Sequence, residues 1–273
     1  MLAPVRVKAE VFVAGKIDAQ TVVCNQLQSL VVPRNNLMKC AIATKGNYVG
    51  VWDRKSDKVF QVNTENMSVN SVGWFEDDEH LLLGSGFYPL TSADRPQAQL
   101  EVLKISEQET ILLASMVLPG VCVDAVTHSP EGEDQLVCFT GLRSQNQGFL
   151  CLLDKNSLRA QAFHEVPFAL VRRLECVDDL IILSHGSTVR AIRRDDGKKK
   201  WVQHLENGSA DFAYDPEHSQ LLLSDGKLLF ATNGRLAEQW PQLKDCRAVA
   251  ARPEGGFVGI SAAGVLGVWE SGS

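Results

Sequence analysis

Three observations in this 273-residue chain predict an all-β fold made of repeated four-stranded units. Polar turns recur along its whole length between short apolar runs, and no run holds a helical 3.6-residue period for three turns. Two segments, Asp195-Asp-Gly-Lys198 and Thr232-Asn-Gly-Arg235, carry the Asp-Gly and Asn-Gly pairs that favour tight hairpins.

Each unit has an apolar run, a polar turn, a second run ending in small residues, and a third run. The first turns at Pro33-Arg-Asn-Asn36, ends its second run at Thr44-Lys-Gly46 and continues over residues 48–52. The second turns at Glu76-Asp-Asp-Glu79, ends its second run at Gly84-Ser-Gly86 and resumes over 100–105, after a long insertion from Phe87 to Gln97. Pro130-Glu-Gly-Glu133, Thr140-Gly141 and residues 149–153 make the third. The fourth uses Val177-Asp-Asp179, Ser184-His-Gly186 and 188–192; the fifth uses Asp215-Pro-Glu-His218, Ser224-Asp-Gly226 and 227–231. Arg252-Pro-Glu-Gly-Gly256, Ser261-Ala-Ala-Gly264 and 265–269 form the sixth, which stops after its third run, whereas the first five reach a fourth. The anchors Pro33, Asp77, Pro130, Asp178, Pro216 and Pro253 are 44, 53, 48, 38 and 37 residues apart. Those spacings scatter around the roughly 40–45 residues of a four-stranded propeller blade.

Four short antiparallel strands cannot bury both faces alone, and stacking such sheets around an axis solves that. The expected architecture is therefore one β-propeller domain over residues 1–273 with six blades. Seven is the alternative, because residues 5–24 hold enough apolar residues for two strands. The N-terminal run 5–13 has no unit of its own and is expected to supply the fourth strand missing from the last unit, closing the ring.

In the first half, Ser29-Leu-Val-Val-Pro, Ser71-Val-Gly-Trp-Phe, Ala125-Val-Thr-His-Ser-Pro and Val51-Trp52-Asp53 resemble WD-repeat β-propellers. The segment from Ser187 to Trp201, with its third strand, Asp-Gly turn and Lys-x-x-Trp ending, is similar to quinoprotein-type blades. Both resemblances are of blade pattern. Trp52-Asp53 matches the Trp-Asp dipeptide, Trp269-Glu270 comes near it, and the Gly-His pair that opens such repeats is absent. What the WD-repeat resemblance implies is a platform for protein interaction.

The formal net charge of −6 argues against a general nucleic-acid or acidic-membrane binder, whose affinity comes from a basic surface. No stretch approaches the roughly 18 apolar residues of a membrane helix, and residues 1–10 lack a signal-peptide apolar core. Seven scattered cysteines, an odd number set mostly in apolar runs, point to a reducing compartment, cytoplasmic or nuclear. The one basic cluster, Arg190-Ala-Ile-Arg-Arg194 with Lys198-Lys-Lys200, has no interleaved aromatics to stack bases, and Asp195 and Asp196 partly neutralise it.

Catalytic signatures are missing. The six histidines never take metal-ligand spacing, there is no C-x-x-C, and no G-x-S-x-G elbow marks a nucleophile. Gly84-Ser-Gly-Phe87 lacks the lysine of a phosphate loop. No catalytic residue, metal or cofactor is therefore expected. A quinone cofactor, which the quinoprotein resemblance suggests, would want adjacent cysteines that this chain lacks. The enzymatic alternative is a metal-dependent, lactonase-like hydrolase using Asp124, Glu175 and Asp211 near strand starts, since calcium takes 6–8 oxygen ligands. The favoured reading is a non-catalytic scaffold for a protein or peptide partner. Its candidate contacts are the connections between second and third strands, which share one rim of a closed ring: Phe87, Tyr88 and Arg95 in the insertion, Arg143 in the next unit, and Lys45 and His185 in others. Aromatic and arginine side chains are enriched in binding hot spots.

Overall fold

A computed structural model describes residues 5–6, 27–31, 39–44, 48–53, 58–62, 68–75, 79–87, 97–106, 110–129, 134–142, 145–206, 210–240, 246–251, 256–261 and 265–269. Among them there is no helix long and apolar enough to cross a membrane. The described strands form six four-stranded antiparallel sheets, the blades of a β-propeller.

The chain divides into two compact units. One, residues 15–170, holds three sheets in simple meander order. They are β2 (Leu27–Val31), β3 (Lys39–Thr44), β4 (Tyr48–Asp53) and β5 (Lys58–Val62); β6 (Ser68–Trp74), β7 (His80–Phe87), β8 (Gln97–Ile105) and β9 (Thr110–Leu118); and β10 (Cys122–His128), β11 (Gln135–Leu142), β12 (Gln147–Asp154) and β13 (Ala160–Val166). The other unit, residues 1–14 and 171–273, holds β14 (Arg173–Val177), β15 (Leu180–His185), β16 (Thr188–Arg193) and β17 (Lys199–His204), then β18 (Phe212–Asp215), β19 (Gln220–Leu223), β20 (Lys227–Phe230) and β21 (Leu236–Gln239). Its last sheet joins β22 (Cys246–Ala251), β23 (Phe257–Ser261) and β24 (Val265–Trp269) to β1 (Val5–Arg6), with Val5 opposite Leu266 and Arg6 opposite Val265. The N-terminal run thus supplies the fourth strand of the last sheet, as expected. Residues 7–26, where a seventh blade would have begun, lie outside the described residues.

Burial on both faces explains why the second strands show continuous apolar runs rather than alternation. In β7, Leu81 and Leu83 pack with Ala41, Val49 and Val51 of the preceding sheet, while Leu82 between them packs with Leu136, Cys138 and Cys151 of the following one. In β19, Leu221 and Leu223 join Ile182, Val189 and Trp201 on one side, and Leu222 joins Trp240, Val249 and Phe257 on the other. Each such leucine contributes about 1.5–3 kcal/mol of transfer free energy, so every sheet is held by its neighbours within the unit.

Turns are fastened by side chains. Ser129 Oγ donates to the Gln135 carbonyl at 3.0 Å, and Asp215, nearly fully buried, accepts from the Glu217 amide at 3.0 Å and faces His218 Nδ1 at 3.0 Å. Small residues ending the second strands have the same use: Ser85 Oγ donates to the Gln99 carbonyl at 3.2 Å, and Ser224 Oγ accepts from the Asp211 amide at 3.2 Å. The insertion predicted from Phe87 to Gln97 is partly strand, because β7 and β8 stay paired as far as Phe87 opposite Gln97.

Candidate interaction surface

Of the predicted rim residues, Phe87 is the last residue of β7, and half-buried His185 ends β15 opposite Thr188. Thr188 Oγ1 donates to the His185 carbonyl at 2.8 Å, fixing that tight connection. Both residues therefore stand where a second strand hands over to a third, as expected. They belong to different compact units. Tyr88, Arg95, Arg143 and Lys45 lie outside the described residues.

The carboxylates weighed for a hydrolase have other partners. Asp211 Oδ1 is 3.5 Å from the Arg173 guanidinium, and its Oδ2 accepts from the Val249 amide at 3.3 Å. Arg173 Nη1 in turn donates to the Val249 carbonyl at 3.1 Å and lies 5.7 Å over the Phe212 ring. One arginine on β14 thus ties together β14, the start of β18 and β22, the first strands of three successive sheets. Asp124 accepts from the Cys122 thiol at 3.0 Å. Glu175, half-buried on β14, stands opposite Ile182. No group of three or more metal-binding side chains occurs among the described residues.

The basic cluster at the β16–β17 hairpin is compensated in part from within, at Arg193 and Lys198. Asp196 pairs with Arg193 and lies 3.2 Å from Lys198 Nζ, and its Oδ1 accepts from the Lys198 amide at 3.0 Å. That backbone hydrogen bond first, then both cations, holds the Asp196 carboxyl down at about 2.

A feature that sequence reasoning missed lies on β9, with the sequence Thr-Ile-Leu-Leu-Ala-Ser-Met-Val-Leu. Fourth strands are sheet edges, and natural edges are protected by charge, shortness or bulges. The other fourth strands obey: β1 carries Arg6, β5 carries Lys58, β13 carries Glu165, β17 carries Lys199 and Lys200, and β21 is four residues long with Glu238. Strand β9 is nine residues long and has no charged residue. Its Leu112, Leu113 and Val117 are 54%, 51% and 55% exposed.

Register with β8 explains the pattern. Ala114, Met116 and Leu118 stand opposite Val102, Leu100 and Ala98 and pack into the core shared with the third sheet. Val117 and Ser115 stand opposite Gln99 and Glu101 on the other face, where Leu112 stands opposite Leu103, and Leu113 is left without a partner at a bulge. Gln99 Nε2 donates to Glu101 Oε1 at 2.9 Å and to Ser115 Oγ at 2.7 Å. Burial raises the Glu101 carboxyl above its ordinary range, and the Gln99 amide offsets part of the rise. A half-buried acid thus stands among half-exposed aliphatic side chains beside a strand edge that has no partner among the described residues. The residue-level signal was available: a nine-residue fourth strand without a charge.

No family model matches the chain, and no curated protein matches it. Among solved structures it is similar to the β-propeller domain of Cps50 (Swd1) from Myceliophteria thermophila, at 14% identity and a TM-score of 0.63. The match covers 90% of this chain and 84% of that one. At that identity the likeness shows the fold.

Proposed function

We propose that this chain is a non-catalytic interaction scaffold that presents propeller surfaces to a protein partner inside a reducing compartment. The observation that carries the reading is β9, an uncharged edge strand with three aliphatic side chains more than half exposed. Monomeric proteins avoid such edges, and contiguous exposed apolar surface marks a place of association. The solved propeller that resembles this chain supports a scaffold role at the level of the fold. Rigid sheets pre-organise whatever they present, so little ordering entropy is lost on binding. The rim connections bearing Phe87, Tyr88, Arg95, Arg143, His185 and Lys45 are a second surface for the same role. Cys122, Cys138, Cys151, Cys176 and Cys246 are buried and outside any disulfide, which suits a compartment that keeps thiols reduced.

Native mass spectrometry of the tagged protein, recovered from its own cells under reducing, chelator-free conditions, tests the reading. A stoichiometric protein partner is expected. A lone chain carrying a metal or small-molecule mass would overturn it in favour of the lactonase-like alternative.

A further inference from the structure

We propose that β9 takes up an extended, aliphatic, lysine- or arginine-bearing segment of a partner protein as a fifth strand of its sheet, with the cation placed against Glu101. The inference rests on the scaffold reading and gives it a location and a ligand class.

In the strand order β6-β7-β8-β9, β9 has a neighbour on one side only among the described residues, so the backbone groups on its other side can form a further ladder. Main-chain pairing gives such complexes affinity, and side chains on alternate positions give them specificity. Here the accepting face presents Leu112 and Val117 on β9, with Glu101 on β8 opposite Ser115 between them. The two aliphatic groups call for aliphatic partners. The carboxyl, already drawn partly out of water, calls for a cation that arrives with its own hydrogen-bond donors.

Charge selects among occupants. The chain has a formal net charge of −6, which favours a cationic segment. A second copy pairing β9 against β9 would offer Glu101 no cation, because β9 has no charged residue. Lys104, on the opposite face of β8 from Glu101, is paired with Glu79 at 3.7 Å, and no cation is paired with Glu101 among the described residues.

Fluorescence anisotropy on the full chain tests this with a labelled nonapeptide of alternating valine and threonine and a central lysine. Two controls have a central glutamate, or N-methyl groups on alternate amides. Wild type is expected to bind the lysine peptide at least tenfold more tightly than the glutamate one, and the N-methylated peptide not at all. Glu101→Gln is expected to erase the lysine preference, and Leu112→Ser with Val117→Ser to weaken binding at least tenfold. Should the double variant fail to fold, the Glu101→Gln comparison carries the test alone. Equal binding of lysine and glutamate peptides, binding of the N-methylated peptide, or no binding of any peptide overturns the proposal. So does a concentration-dependent dimer broken by Leu113→Asp, which would make a second copy the occupant. A stoichiometric partner retained by the double variant would sink this inference and leave the scaffold reading standing.

Discussion

Strands β9 and β17 hold the same place in their sheets and meet opposite fates. Each is a fourth strand with one hydrogen-bonded neighbour. β17 is stitched to the sheet that follows: Trp201 Nε1 donates to the Ala231 carbonyl at 3.0 Å, Gln203 Nε2 donates to the Gly234 carbonyl at 2.8 Å, and Lys227 Nζ donates to the His204 carbonyl at 3.2 Å. Its exposed residues include two lysines, and an ionic hairpin leads into it. β9 leans on the next sheet through its inner face, at Ala114, Met116 and Leu118, and turns leucine and valine to water. These two fourth strands thus differ as a fastener to the following sheet and an edge without such bonds among the described residues. Sequence decides which: an indole and amides that can reach across make the first, and an uncharged aliphatic run makes the second.

The largest effect is expected from cutting the fastener. Trp201→Ala removes a buried indole from the core between two sheets and orphans the Ala231 carbonyl. About 3–5 kcal/mol of stability should be lost, measured by urea unfolding. A loss below about 1 kcal/mol would erase the distinction between the two strands. Much less is expected on the free edge. Leu112→Thr with Val117→Thr should change the same unfolding free energy by only about 0.5 kcal/mol, because both side chains are already half in water. A drop comparable to that of Trp201→Ala would mean that these residues serve the fold rather than a partner. The smallest effect concerns the hairpin before β17. Its Asp196 carboxyl is held at about 2, so the charged form is the one the fold favours. The contribution is present above the ordinary carboxylate range and fades as pH falls through about 2. Carboxyl NMR titration should find that midpoint. In Asp196→Asn the Lys198 amide should no longer shift at low pH.

What could be read in the sequence was chiefly local. Hairpin positions follow from turn chemistry that needs no tertiary context: Gly197 and Gly234 have φ of 68° and 67°, and Asp178, in the turn predicted at Val177-Asp-Asp179, has 52°. Gly234 is required twice over, since a Cβ there would lie 2.7 Å from the Trp201 ring. The last sheet's missing strand could be inferred from counting runs alone. Less legible were pairings across sheets. Arg173 and Asp211 are 38 positions apart, and nothing local says that the register of two sheets will bring them together. The exposure of β9 was hidden for a related reason. An unbroken aliphatic run looks the same in Leu81-Leu-Leu83 as in Ile111-Leu-Leu113, and only its place in the same sheet, second strand or outer fourth, makes one a core and the other a surface. Four of the six rim residues chosen from sequence lie outside the described residues, so the rim remains a proposal.

The pairing of β1 with β24 also has a consequence in time. A ribosome releases Val5 early and its partner Leu266 some 260 codons later, an interval of tens of seconds at roughly 5–20 residues per second. Throughout that interval the last sheet cannot be completed, while earlier sheets can already stack as they emerge. The strand at Val5 is therefore a nascent-chain liability, open to proteases and to wrong pairing until Leu266 has emerged. Folding of the final sheet is set by the clock of synthesis rather than by the speed of hairpin formation.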